Sequence, residues 1–188
     1  MLEPSLRTRS RASMRDRRIA WTRRTANTTS FFTIPLPADR VPATMSSLQD
    51  VTALFDPETS FGGASRRDAI GWMTGRVVAD YGLAHLGHLA AAASALSPSQ
   101  VDDAIVDVQA ILARWRDDPR EPLRITGHDW PDAADIRALL EEPASLWPDT
   151  EEGEDVPYLI AFLKGHLHVL LAAREQGLWV VHARSLEA

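Results

Sequence analysis

Cysteine is absent from the 188-residue chain, and lysine occurs once, at Lys164. The lack of cysteine excludes disulfide bonds, a thiolate nucleophile, and zinc or iron–sulfur sites with cysteine ligands. No run of 18 uncharged apolar residues is present for a membrane span, and the start of the chain has no apolar signal-peptide segment. We therefore expect a cytoplasmic protein without membrane contact. The preference for arginine over lysine indicates a GC-rich bacterial genome.

Short catalytic motifs are missing as well. The sequence contains no P-loop, no GxGxxG after a strand, no GxSxG elbow and no HExxH, so nucleotide-binding folds and serine hydrolases have no motif support. No internal repeat with a period of 20–50 residues is visible. The hydrophobic fraction of 45% and the charged fraction of 24% are ordinary for a soluble globular protein. Function must therefore be sought in clusters of side chains.

The charge is distributed unevenly along the chain. Residues 1–24 carry eight arginines against Glu3 and Asp16, a net charge of +6, and the rest of the chain carries −12. We expect residues 1–45 to form a basic and then Pro/Thr-rich N-terminal arm, followed by a helical domain over 46–188. Three interpretations of the arm are open: a transit segment, which it resembles in composition; a basic arm that binds nucleic acid or anionic surfaces; or upstream sequence with little function. We favour the last interpretation, because Met45 directly precedes Ser46, where the first helical pattern opens. No basic face on the body supports nucleic-acid binding.

Hydrophobic periodicity and capping signals predict an all-α protein, a compact bundle of about five helices. The clearest helix begins at the capping box Ser97–Gln100 and ends before Pro119. The helix before it is expected to run from Ser65 to Leu96, and its internal glycines, Gly71 and Gly75, indicate close helix packing. The predicted helices span 47–55, 65–96, 98–117, 131–142 and 157–176. Residues 31–36 and the tail after Gly177 leave room for one short pair of terminal strands.

The histidines form the most informative set of polar residues. At about 100° per residue, His85 and His88 share the inward face of the second predicted helix with Tyr81. On the fifth helix, His166 points inward and His168 points outward. Inward histidines on two long helices predict a cluster between them.

Three interpretations of this cluster remain open. His85, His88 and His166 would suit a divalent metal, with water as the fourth ligand. Without a metal, His85 or His88 would act as an acid or base assisted by Tyr81 or Asp80. A purely structural role, in which buried histidines bond backbone carbonyls or a tyrosine hydroxyl, is the third. A string of aspartates on the third helix is expected to form a solvated face; it comprises Asp102, Asp103 and Asp107.

Two functions from different classes follow. The first is a small-molecule enzyme or ligand-binding protein, with an inter-helix pocket in which the histidines supply acid–base or metal-assisted chemistry; the sequence leaves open whether it catalyses a reaction. The alternative is an acidic helical protein-interaction module, such as an immunity, adaptor or regulatory protein, whose negative body steers a protein partner or forms a homodimer.

Overall fold

A computed structural model describes residues 28–44, 51, 53–56, 58–66, 69–127, 132–143 and 156–184. Most of the predicted basic arm, residues 1–27, lies outside the described residues. So do residues 45–50, which include the start of the first predicted helix at residue 47, and His128.

A four-stranded antiparallel sheet forms one layer of the protein, so the all-α prediction is wrong. Its strands are β1 (Thr28–Leu36), β2 (Phe61–Arg66), β3 (Ala93–Leu96) and β4 (Trp179–Arg184), in the order β2-β1-β4-β3. Residues 31–36 and the tail do pair, but they form the centre of a sheet. Pro35 is tolerated because it lies beyond Thr33, the last β1 residue paired with β2, so β1 is unpaired on that side.

Five α-helices are found in the described part of the chain: α1 (Ala69–Tyr81), α2 (Pro98–Asp117), α3 (Glu121–Thr126), α4 (Ala133–Glu141) and α5 (Val156–Gln176). Two 3-10 segments, Ala38–Arg40 and Ala84–Ala90, complete the elements. The predicted long helix over 65–96 is therefore wrong. Ser65 belongs to β2, and the chain leaves α1 at Gly82, which adopts a left-handed φ of +65°. The rest of the segment predicted as helix forms the 3-10 helix Ala84–Ala90 and strand β3.

Helix α2 confirms the prediction from its capping box. The backbone N–H of Ser97 donates to Oε1 of Gln100 over 2.9 Å, and Pro98 occupies the first turn. All seven apolar residues predicted to face inward are buried: Val101, Ala104, Ile105, Val108, Ile111, Leu112 and Trp115. Local capping and 3.6-residue periodicity indicate the same helix, which is why its bounds and its buried face could be predicted from the sequence.

Helix α5 packs between α2 and one face of the sheet, within the main hydrophobic core. By length and composition alone it could cross a membrane, but 67% of its apolar stretch is buried inside the protein, as in a core helix. The opposite face of the sheet carries a second core. There, Phe32, Ile34, Leu36, Val181 and Ala183 pack against Val41, Val51, Leu54 and Phe55. Because both faces of the β1–β4 pair are covered, polar side chains on it are desolvated.

Gly75 offers a test of the helix boundaries. A Cβ at Gly75 would meet no heavy atom within 4 Å, so the predicted close packing at this glycine is not present, whereas Gly82 has a φ of +65°. We expect Gly75→Ala to raise the free energy of unfolding by about 0.5–1 kcal/mol, because alanine is the better helix former. Gly82→Ala is expected to lower it by about 1 kcal/mol, because the left-handed conformation disfavours a Cβ. Urea denaturation of both variants measures the contrast, and equal effects would contradict a helix end at Tyr81.

Candidate functional site

A row of four residues crosses the helix-facing side of the sheet. Phe61 of β2 pairs with Thr33 of β1, Thr33 pairs with His182 of β4, and His182 pairs with Ser94 of β3. Directly paired residues in an antiparallel sheet project to the same face. The sheet therefore places a hydroxyl group and an imidazole side by side beneath the helices.

Helix α5 brings His166 down onto this row. A Cβ at Gly165 would overlap the ring of Phe61, so the glycine lets the helix approach the sheet closely at this turn. The Nδ1 atom of His166 then lies 3.1 Å from Oγ1 of Thr33, and Nδ1 of His182 lies 3.0 Å from the same oxygen. Thr33 thus bridges the two imidazoles.

The 3-10 helix Ala84–Ala90 supplies a third imidazole. Nε2 of His88 lies 2.9 Å from Nε2 of His166, and Nδ1–H of His88 donates to the carbonyl of His85 over 2.7 Å. The side chain of Asp107 accepts from the backbone N–H of His85 at one end of this segment, and Arg184 donates to the carbonyls of Ala90 and Ala91 at the other. These contacts fix the position of His88.

We call His88, His166, Thr33 and His182 the histidine network. The three ring centroids lie 5.0, 5.9 and 6.1 Å apart, so the imidazoles form a compact triangle. The solvent-exposed fraction is 0% for Thr33 and His166 and 1% for His182. Within the described part of the chain, Nε2 of His182 is the one buried side-chain nitrogen or oxygen without a hydrogen-bond partner.

Burial keeps the network neutral. It lowers the pKa of His88 to about 4 and the pKa values of His166 and His182 well below the usual range. In the last two residues, repulsion from neighbouring positive charges adds to the effect of burial, since His88 disfavours a charge on either ring. All three imidazoles therefore carry a lone pair at neutral pH.

The structure separates the predicted catalytic residues. His88 and His166 come together, whereas the side chain of His85 is 51% exposed, with Nδ1 3.9 Å from a carboxylate oxygen of Asp103. Asp80 is exposed and lies 3.9 Å from Arg76. Because α1 ends at Tyr81, and not at Leu96 as predicted, His85 and His88 do not lie on the same α-helix as Asp80. The helical phase that would have aligned these side chains is therefore absent.

Tyr81 belongs to a separate contact. Its hydroxyl accepts from Nε1–H of Trp115 over 3.1 Å, and the guanidinium of Arg114 lies 4.7 Å from the centre of its ring. Burial raises the pKa of Tyr81 to about 12. The hydroxyl thus stays protonated and joins α1 to α2.

The predicted metal site is not formed, because the side chain of His85 lies away from His88 and His166. His85, His88 and His166 do not converge, and no group of three or more histidine or acidic side chains among the described residues is placed to hold a metal ion. Asp103 and Asp107 lie near His85 on the outer side of α2.

Thr33 and His182 are the site residues that sequence reasoning missed. A signal was present in the tail, where Val180, His182 and Arg184 alternate with Val181 and Ala183 across the two faces of β4. Cross-strand register, which pairs His182 with Thr33, cannot be read from either segment alone.

No protein-family model matches this chain, and neither does any curated protein or solved structure in the comparisons. The geometry of the histidine network is therefore the basis for a functional proposal.

The depressed pKa values predict an acid-labile fold. Each of the three histidines binds a proton in the unfolded chain near pH 6.5, but in the folded chain only at lower pH, about 4 for His88. The free energy of unfolding should be constant above about pH 7 and fall between about pH 6.5 and 4, by up to about 1.4 kcal/mol per pH unit for each buried histidine. Urea denaturation across this range measures the slope.

Two variants distinguish the source of this slope. His182→Gln should reduce it, whereas His168→Gln, which removes an exposed histidine of α5, should leave it unchanged. A wild-type free energy of unfolding that stays flat from pH 7 to pH 4.5 would contradict the burial of neutral imidazoles.

Proposed function

We propose that the histidine network is an acid–base site for a small uncharged ligand, and that the protein is a small-molecule enzyme or ligand-binding protein. The observation that carries the proposal is the buried Nε2 atom of His182, which has no partner among the described residues. Leaving such an atom unpaired costs about 1–3 kcal/mol. A ligand that donates an O–H or N–H group to this nitrogen removes that cost.

The protonation state of the network supports an acid–base role. Because burial lowers the pKa of His182, its lone pair is available throughout the neutral range. A weakly basic imidazole in a dry interior accepts a hydrogen bond at rest and takes the proton when a reaction makes the donor more acidic. An uncharged ligand fits the site, because an unpaired ion would lose its hydration on entering the interior.

Aromatic side chains form an apolar wall beside these polar atoms. The ring of Phe162 is parallel to that of His166, with centroids 6.3 Å apart, and it meets His182 edge-on at 6.4 Å. Phe31 and Phe61 also pack against Phe162, with ring centroids 4.8 and 5.9 Å from that of Phe162. One directed acceptor beside aromatic surface is typical of sites for small, flat molecules.

The alternative, a protein-interaction module, rests on the acidity of the body. Trp72 is 50% exposed with Arg76 stacked on its ring, and Val106 is 63% exposed. Single exposed apolar side chains are normal on protein surfaces and do not indicate an interface. The histidine network therefore favours the ligand-binding function.

Phenol and benzene provide a matched pair of probes, because they share a flat apolar ring and only phenol donates a hydrogen bond. We expect phenol to raise the melting temperature and to shift the ¹⁵N resonance of His182 Nε2, and benzene to leave that resonance unchanged. His182→Leu should abolish the phenol effect, whereas His168→Leu should retain it. If neither phenol nor a smaller donor, 2-propanol, perturbs His182 in the wild-type protein at millimolar concentration, the proposed function is wrong.

A further inference from the structure

The hydrogen bonds of the histidine network allow only one proton order in the neutral state, by which we mean which nitrogen of each imidazole carries the proton. The starting point is the carbonyl of His85, which can only accept, so Nδ1 of His88 carries the proton. Nε2 of a neutral His88 is then a bare acceptor. The 2.9 Å contact between the two Nε2 atoms therefore requires the proton on His166.

The order continues through Thr33 to the far end of the network. With its proton on Nε2, His166 has a bare Nδ1, which accepts the hydroxyl proton of Thr33. The Thr33 oxygen then accepts from Nδ1–H of His182. The Nε2 atom of His182 is left bare, and it is the same atom that lacks a partner among the described residues.

We propose that Thr33 relays protons between His182 and His166, so that a proton accepted at His182 leaves its positive charge on His88. The donor's bond to hydrogen breaks and a new N–H bond forms at Nε2 of His182. The Nδ1 proton of His182 moves to Thr33 as the hydroxyl proton moves to Nδ1 of His166. The Nε2 proton of His166 then moves to Nε2 of His88. The donor keeps the electron pair as an anion, and His88 becomes an imidazolium.

The geometry explains why the charge ends at His88. His88 retains some exposure to solvent, whereas His166 and His182 are fully buried. The imidazolium would also keep its hydrogen bond to the carbonyl of His85. The relay would contribute to catalysis only if the histidine network is the acid–base site proposed above, and in this respect it rests on the proposed function. Its test uses the free protein, so the two proposals can fail separately.

Long-range ¹H–¹⁵N NMR of the full chain at pH 7.5 reports which nitrogen of each imidazole carries the proton. We expect the Nδ1–H form for His88, the Nε2–H form for His166 and the Nδ1–H form for His182. The relay requires this alternation, and the static hydrogen bonds already impose it; the joint switch on acidification is what distinguishes a relay from a fixed structural cluster. Any other pattern for these three residues overturns the proton order.

Acidification tests the coupling. When His88 becomes doubly protonated, wild-type His166 should switch to Nδ1–H and His182 to Nε2–H at the same pH. In Thr33→Val, His166 should still follow His88, but the tautomer of His182, which has lost its hydrogen bond to Oγ1 of residue 33, should no longer change when His88 is protonated. Thr33→Ser retains the hydroxyl and should behave as wild type.

Thr29→Val is the matched control, since Thr29 is a buried threonine four residues earlier in β1. It should leave all three tautomers and their joint switch unchanged. If Thr33→Val does not fold, the wild-type titration still decides the matter: a His182 that keeps its tautomer while His88 is protonated overturns the relay. A joint switch that persists in Thr33→Val overturns the role of Thr33.

Discussion

The antiparallel pairing of β1 with β4 is the constraint on which the rest of the structure depends. It joins segments near the two ends of the described chain and sets Thr33 directly opposite His182, 149 residues later. Helix α5 leads directly into β4. Gly177 turns the chain at a φ of +63°, and the N–H of Leu178 donates back to the carbonyl of Ala173 at the end of α5. His166 is thereby held above the β1–β4 pair.

Three imidazoles in a core cost stability unless each polar atom finds a partner. The network meets this condition through Thr33, the His85 carbonyl and the contact between the Nε2 atoms of His88 and His166. The exception is Nε2 of His182. Burial also removes the charge from each ring, which lets neutral imidazoles lie 5–6 Å apart without mutual repulsion. The same desolvation that lowers the pKa values of the three imidazoles thus leaves them as a directional chain of donors and acceptors.

The residues around the network act mainly by positioning it. Asp107 holds the backbone of His85, and Arg184 holds the carbonyls at the other end of the 3-10 helix, so His88 is clamped from α2 and from β4. Gly165 allows Phe61 to pack against α5 one residue before His166. His85 therefore contributes its backbone to the site while its imidazole faces solvent.

The sequence by itself determined the features that depend on neighbouring residues. Helix α2 follows from its capping box and its apolar stripe, and the inward direction of His166 follows from the phase of α5, because both are set within a few turns of helix. The sheet and the partnership of His182 with Thr33 depend on contacts between distant segments. Only the tertiary structure decided these, because the free energy of strand pairing comes from residues far apart in the chain, and no local pattern records which strand will be the partner.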